Sequence, residues 1–303
     1  MTRLTVPHRR PTVHRLIGMV VCGLVAAVAG CGGAAGQTGD NGLVQEYAQI
    51  LGHQPAGVAL EVAKRRTVIV VNDEAYPPFS YRNSEGQMAG FDVEVARAAA
   101  DILGVRLRQV QIAWDLIPDA IEAGRLDVSI GSMTATTERQ EYLGFTSPYY
   151  WTMEYLAVRR GTPPIQGPSD MAGKTIGCGV QSTAYQYLER LPDVEVRPYR
   201  AEVDGLVDLR RGEIDGYVSS LNFLMQSISS GEPFELSGSP LYYTAASFAY
   251  KKGEDDWGAL LEYAVRTLHS EGALTATSQR WFWGFDLTQP PPAGVHVEGG
   301  APQ

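Results

Sequence analysis

The chain has 303 residues, 44% of them hydrophobic, enough to bury a full core and to build more than one lobe. Its formal net charge is −9, and because residues 1–30 carry four arginines and no acid, the remainder sits near −13. No basic footprint is left for nucleic acid, and the five dispersed histidines offer no pair with metal-ligand spacing, so a nucleic-acid partner, a zinc site and a cofactor are not expected.

Arg3, Arg9, Arg10 and Arg15 precede an apolar run from Leu16 to Gly30. It has the length of a secretory signal and is too short to span a bilayer comfortably. The run closes on Val28-Ala29-Gly30-Cys31, which resembles a bacterial lipobox. Cleavage before Cys31 would leave a diacylated N-terminal cysteine; in an ordinary cleaved signal, or a short anchor helix, that cysteine would be incidental. Residues 1–30 are therefore read as a lipoprotein signal peptide and 31–64 as a lipidated tether, Gly-rich at first and then only partly ordered, because Gly52, Pro55 and Gly57 interrupt its apolar residues. Of the other cysteines, Cys22 leaves with the leader and Cys178 is expected as a buried small hydrophobe, so no intramolecular disulfide is expected.

Thr67-Val68-Ile69-Val70-Val71 has the β-branched character of a buried strand and ends at Asn72-Asp73. Asp92 is placed to cap a helix from Val93 to Leu103 that stops at Gly104, with Val95, Ala99 and Ile102 on one face. A strand is expected over Val105–Ile112, then a helix capped by Asp115 and ending at Gly124, then a buried strand Leu126–Ile130 opening into Gly131-Ser132-Met133-Thr134. Such alternation predicts an α/β sheet with parallel strands. Pro290-Pro291-Pro292 and the Gly/Pro-rich remainder predict a disordered tail over 288–303.

The module occurs twice. Ala120 to Ile130 reads helix, Gly124 stop, Leu126-Asp127, strand; Asp208 to Val218 reads helix, Gly212 stop, Ile214-Asp215, strand. Likewise the first strand is echoed by Lys174-Thr175-Ile176-Gly177-Cys178 ahead of Gln181-Ser182-Thr183. Two echoes in one order predict two similar lobes. Ligands of open parallel sheets bind at the carboxyl ends of the strands, and the residues placed there are Asp73, Glu74 and Tyr76, then Trp114, Ser132 and Thr134, then Ser182, Thr183, Ser219 and Ser220. Hydroxyls, rings and a few charges suit a site for a small polar molecule.

Tyr76-Pro77-Pro78-Phe79-Ser80-Tyr81, Gly90-Phe91-Asp92-Val93-Glu94, Trp114-Asp115, Gly131-Ser132-Met133-Thr134-Ala135-Thr136-Thr137-Glu138-Arg139-Gln140, Phe145-Thr146-Ser147-Pro148-Tyr149-Tyr150 and Gly173-Lys174-Thr175-Ile176-Gly177 fall in order at characteristic spacing. In these motifs the chain resembles the polar-amino-acid-binding family of ABC-transporter solute-binding proteins, bacterial extracellular solute-binding protein family 3, over about residues 67 to 287. The resemblance implies an α/β two-lobe periplasmic-binding-protein-like fold of type II, with the lobes joined by two hinge strands near Trp151–Glu154 and Tyr242–Ser247. Lobe 1 would hold residues 65–150 plus 248–287, and 151–247 the hinge strands and lobe 2. It also implies a protein that passes a polar amino acid or related small molecule to the transmembrane subunits of an ABC permease; with the lipobox-like ending, the expectation is a monomer lipid-anchored through Cys31 on the outer face of the cytoplasmic membrane.

In that family the residue matching Arg139 clamps the ligand α-carboxylate, a task suited to a planar guanidinium that bonds carboxylates bidentately. Ser132 and Thr134 match positions that bind the same ligand, and Tyr76 and Trp114 match aromatic walls. Asp73, Ser182, Thr183 and Ser220 complete the expected ligand-binding set. One position departs: α-amino-acid binders usually carry Asp where this chain has Ser220, and a buried ammonium without a carboxylate is costly. Either Asp73 or Glu74 compensates, or the ligand lacks a free α-ammonium; Asn222 would add an acceptor but no charge. Related folds also serve dehydratases of cyclic carboxylates, which need a general acid in the cleft, and ligand-sensing receptors; the expected function here is solute binding without catalysis.

Overall fold

The computed structural model describes residues 41–73 and 75–298; Cys31, the leader, Glu74 and the last five residues lie outside the described residues. The described chain opens on two helices, α1 (Gly42–Leu51) and α2 (Gly57–Arg65), then β1 (Thr67–Asn72) and a small antiparallel ribbon of β2 (Ala75–Tyr76), β3 (Ser80–Arg82) and β4 (Met88–Ala89). There follow α3 (Phe91–Ile102), β5 (Arg106–Gln111), α4 (Ile117–Glu122), β6 (Val128–Thr134) and the short α5 (Thr137–Gln140). A long strand, β7 (Leu143–Arg159), leads into β8 (Thr175–Gly179), α6 (Thr183–Leu188), β9 (Glu195–Tyr199), α7 (Glu202–Arg211), β10 (Gly216–Ser220) and α8 (Leu221–Ser229). A second long strand, β11 (Phe234–Lys251), returns the chain to α9 (Asp255–Ser270), α10 (Ala273–Trp281) and β12 (Val297–Glu298).

The main sheet runs β5-β1-β6-β11-β7-β10-β8-β9, with β12 beside β11. At one end β5, β1 and β6 are parallel; at the other β10, β8 and β9 are parallel; between them β7 and β11 pair antiparallel from Phe234↔Arg159 to Lys251↔Leu143. Each parallel triplet is covered on both faces, which explains its near-continuous apolar runs. The first half packs Phe79, Phe91, Tyr149, Phe248 and Trp257 on one face and Ile117, Met133 and Ala249 on the other. The second packs Ile176, Cys178 and Leu188 opposite Leu209, Tyr217 and Phe223. Burial pushes the Cys178 thiol up, as for an inert core cysteine.

The sequence echo has a physical cause. Asp127 accepts from the Ile69 amide at 2.6 Å while its own amide donates to the Ile69 carbonyl at 3.1 Å; Asp215 does the same to the Thr175 amide at 2.9 Å and the Thr175 carbonyl at 2.9 Å. In both halves one aspartate locks the first strand to the strand that follows the helix, and Arg65 also pairs with Asp127.

Four local expectations differ. Residues 43–64 form helices: Leu43 and Tyr47 face the core, the Tyr47 hydroxyl donates to the Leu103 carbonyl at 2.9 Å, and Gly52 at φ 79° is the left-handed stop of α1 rather than a break in order. Residues 288–298 are placed, with the Tyr243 amide donating to the His296 carbonyl at 2.9 Å and Arg190 paired with Glu298 at 2.8 Å. Asp92 does not cap α3, which starts earlier at Phe91 after Gly90; it is buried inside the first turn. Asp115 lies in a 3-10 turn ahead of α4 and makes no cap bond.

Candidate functional site

The carboxyl ends of β1, β6 and β8, the last residues of β10, and the crossing stretches of β7 and β11 surround a cavity of about 70 Å³. One water needs roughly 10–15 Å³ by the same kind of measure, so the space suits a small molecule. Asp73, Tyr76, Trp114, Ser132, Thr134, Arg139, Ser182 and Thr183 all line it, together with Glu154, Glu202 and Ser219.

Arg139 stands on α5, a single turn capped by Thr136, whose hydroxyl accepts from the Arg139 amide at 3.3 Å. The residue is 5% exposed, and its guanidinium donates to the Thr134 carbonyl at 3.0 Å and the Gln181 carbonyl at 2.8 Å and lies 5.2 Å from the Trp114 ring centroid. Among the described residues no carboxylate pairs with it. Burial lowers its pKa to about 10, against the opposing pull of Tyr142 and the Glu138 charge, and it is still a full cation at neutral pH. A buried cation held by carbonyls and a ring face at a cavity wall is suited to bind a carboxylate.

Ser132 reaches the cavity at φ 60°, but its donors are committed: its amide donates to the Tyr149 hydroxyl at 2.9 Å and its hydroxyl to Asp92 at 2.7 Å. Asp92 also accepts from the Tyr149 hydroxyl at 2.7 Å; burial pushes its pKa up to about 7, against the pull of these two bonds. Ser182 caps α6, accepting from the Tyr185 amide at 3.0 Å. Tyr76 stacks on Phe79 and Phe223, with centroids 5.0 and 5.3 Å apart, and so forms a wall as its ring character suggested.

Ser220 is not on the cavity. It is 1% exposed, caps α8 and accepts from the Tyr76 hydroxyl at 2.6 Å; successive β10 side chains face opposite sides, and Ser219 takes the cavity side. Sequence reasoning missed two carboxyls that do line the cavity. Glu154, 7% exposed on β7, is pushed up to about 8 by burial and then by the charge of Glu202, against a bond from Thr244. Glu202, in the first turn of α7, is pushed up to about 7 by burial, opposed by bonds from Ser219 and Tyr217 and raised further by Asp73. A lone acid inside the apolar stretch Tyr149–Val158 was a legible signal for Glu154. Glu202 carried none, since acids in a helix's first turn are ordinary.

Contacts cross between the halves around this cavity: Arg139 to Gln181, Gln186 to Glu138 at 2.8 Å, Arg200 to Asp115 at 3.3 Å and Tyr76 to Ser220. Outside it a larger groove of about 510 Å³ shares Trp114 and Arg139 and carries Asp119, Glu122, Glu138 and Glu189.

A small cavity between two α/β halves, walled by rings and hydroxyls and lined by a buried guanidinium and buried carboxyls, defines a two-lobed binding protein for a small polar solute. The chain belongs to the bacterial extracellular solute-binding proteins, family 3, whose model matches residues 68–284. It is 29% identical over 236 residues to the L-cystine-binding protein TcyJ of Escherichia coli strain K12, covering 77% of this chain and 88% of that one. To the L-arginine-binding protein of Pseudomonas aeruginosa it is 29% identical over 226 residues, 71% of this chain and 87% of the other. Among solved structures, a mutant of ArgBP from T. maritima superposes with a TM-score of 0.71 at 24% identity, covering 74% of this chain and 98% of that one. No helix among the described residues is long and apolar enough to cross a membrane.

Proposed function

We propose that this protein is a monomeric lipoprotein, held at the outer face of the cytoplasmic membrane through Cys31, that binds a polar amino acid or a close relative and presents it to the transmembrane subunits of an ABC importer. In this reading lobe 1 comprises residues 65–150 plus 248–287 and lobe 2 lies within 151–247, with β7 and β11 as the hinge. The single observation that carries the solute class is Arg139: a buried arginine that lines the cavity and makes no carboxylate ion pair among the described residues calls for a ligand carboxylate. The names of the related proteins, which bind cystine and arginine, support the amino-acid class. Anchoring rests on the lipobox-like ending at Cys31. Two or more acyl chains on that residue exceed what stable membrane attachment needs.

The test is a thermal-shift screen of the purified protein against all common amino acids, cystine, betaines and small carboxylates. A solute present at a hundred times its Kd should stabilise by about 2.7 kcal/mol and raise Tm by several degrees. No shift with any amino acid refutes the reading.

A second reading, elimination of water from a cyclic carboxylate, draws on Glu154 and Glu202, whose elevated pKa values keep a protonated carboxyl in the cavity. Incubation with such substrates and detection of an aromatic product by absorbance decides between them; we favour binding without catalysis because the named relatives are binding proteins.

A further inference from the structure

We propose that Glu202 is the residue that receives the ligand's ammonium group, taking over across α7 a task that position 220 cannot perform in this chain. The assignment rests on the reading of the cavity as the solute site. Three geometrical observations carry it.

First, position 220 is spent. The Ser220 hydroxyl lies beneath the cavity wall, accepts from the Tyr76 hydroxyl at 2.6 Å and caps α8 through the Phe223 amide at 3.4 Å. Second, Glu202 is seated by its surroundings. The Tyr217 hydroxyl donates to its Oε2 at 3.1 Å, and that ring reaches it only because residue 205 is glycine: a Cβ there would lie 2.0 Å from the Tyr217 Cε2. On the other side a Cβ at Gly179 would lie 2.7 Å from the Glu202 Oε1, so Gly179 leaves room for the carboxylate at the cavity wall. Third, Arg139 and Glu202 line the same small space, so one molecule meets a guanidinium and a carboxyl at once. A zwitterion satisfies both; an acid without an amine satisfies only one.

Asp73 is the competing candidate from the other half. Its Oδ1 already accepts from the Ala75 amide at 2.9 Å in a local turn, which fits a charge that shapes the loop. Glu154 also lines the cavity, from the hinge strand, and is the second competitor. The elevated pKa of Glu202 agrees with the assignment, because a carboxyl deprived of a cation holds its proton and an arriving ammonium displaces that proton to solvent.

The experiment is titration calorimetry of L-arginine, L-cystine and L-glutamine into the full-length protein near pH 7, in two buffers of different ionisation enthalpy, for wild type, Glu202→Gln, Glu154→Gln, Asp73→Asn and Ser220→Ala. For whichever probe the wild type binds, Glu202→Gln should lose at least thirtyfold in affinity and lose the proton release seen in wild type. Ser220→Ala should keep both within threefold. Gln retains the acceptor for Tyr217, and an unchanged melting curve of the ligand-free variant separates lost charge from lost fold. Glu202→Gln binding within threefold of wild type, or the large loss appearing only in Asp73→Asn or Glu154→Gln, overturns the assignment and leaves the solute reading intact. A wild type that binds none of the probes nor any common amino acid overturns the solute reading itself, and the assignment with it.

Discussion

Replacing Arg139 by alanine separates two contributions that the structure sets against each other. In the ligand-free protein the guanidinium makes two charge-assisted bonds to carbonyls, each contributing roughly 1.5–3 kcal/mol, and suffers a desolvation penalty of several kcal/mol. The two nearly offset, so the ligand-free Arg139→Ala protein should melt within a few degrees of wild type. In the liganded protein the balance is different, because the variant strands a buried ligand carboxylate without its partner. Truncating one member of a buried charge pair costs about 2–5 kcal/mol, equivalent to about thirtyfold to several thousandfold in Kd. Calorimetry with the solute found in the screen, alongside melting curves with and without it, reads both terms. Arg139→Lys should recover part of the loss, since a lysine restores charge but not the planar fork. An affinity within threefold of wild type in Arg139→Ala, with the fold intact, removes Arg139 from the site and refutes the charge argument.

The repeated aspartates should behave alike: Asp127→Asn and Asp215→Asn each lose the carboxylate that holds a strand amide and should fall by about 1–3 kcal/mol in urea unfolding, Asp127→Asn somewhat more because Arg65 also loses its partner. A loss in only one of them would show that the echo is not a shared device. Asp92, raised from 3.8 to about 7, makes the native state hold more protons than the unfolded chain across that window, so its contribution is present at low pH and falls as pH rises from about 4 to about 7. Urea midpoints measured across the window should therefore decline less steeply in Asp92→Asn than in wild type, and equal slopes would contradict the burial argument. Cys31→Ser should move the protein from the membrane to the soluble or secreted fraction; variant and parent remaining together in membranes would mean that Cys31 carries no anchor.

What the sequence disclosed followed from local chemistry. β-Branched runs, glycine stops and the twice-used Asp module were enough for parallel strands and two halves, because a strand buried on both faces admits few residue types. Eight of nine chosen site residues surround one cavity because the carboxyl ends of parallel strands converge, a rule of topology that needs no side-chain detail. The failures share a different cause. Ser220 and Ser219 differ by one position, and only the strand's register decides which faces the ligand. Glu202 is an ordinary first-turn acid until Tyr217 and Gly179 are seen around it. The helices over 43–64 were hidden because Gly52 reads as a breaker in isolation and as a cap once Tyr47 is docked against Leu103.

Closure can be argued from the same charges. The contacts that bridge the halves at the surface are weak: Arg200, with its side chain 74% exposed, pairs with Asp115 at 3.3 Å, and such exposed pairs contribute about 0–1 kcal/mol each. Against them stands the cost of burying Arg139, Glu154 and Glu202, which raises both carboxyl pKa values and lowers that of the guanidinium. Buried bonds that cross the halves, from Arg139 to the Gln181 carbonyl and from Tyr76 to Ser220, offset part of that cost. On the proposed function a zwitterion offsets that cost, since its carboxylate and ammonium meet a guanidinium and a carboxyl that the two halves contribute to one cavity. Moving a two-state equilibrium from 1:99 to 99:1 requires about 5.5 kcal/mol of differential affinity, and two newly paired buried charges at roughly 2–5 kcal/mol each suffice. The residues that select the solute are thus also the residues that make closing conditional on it, which is what a carrier must achieve if its partner is to distinguish loaded from empty.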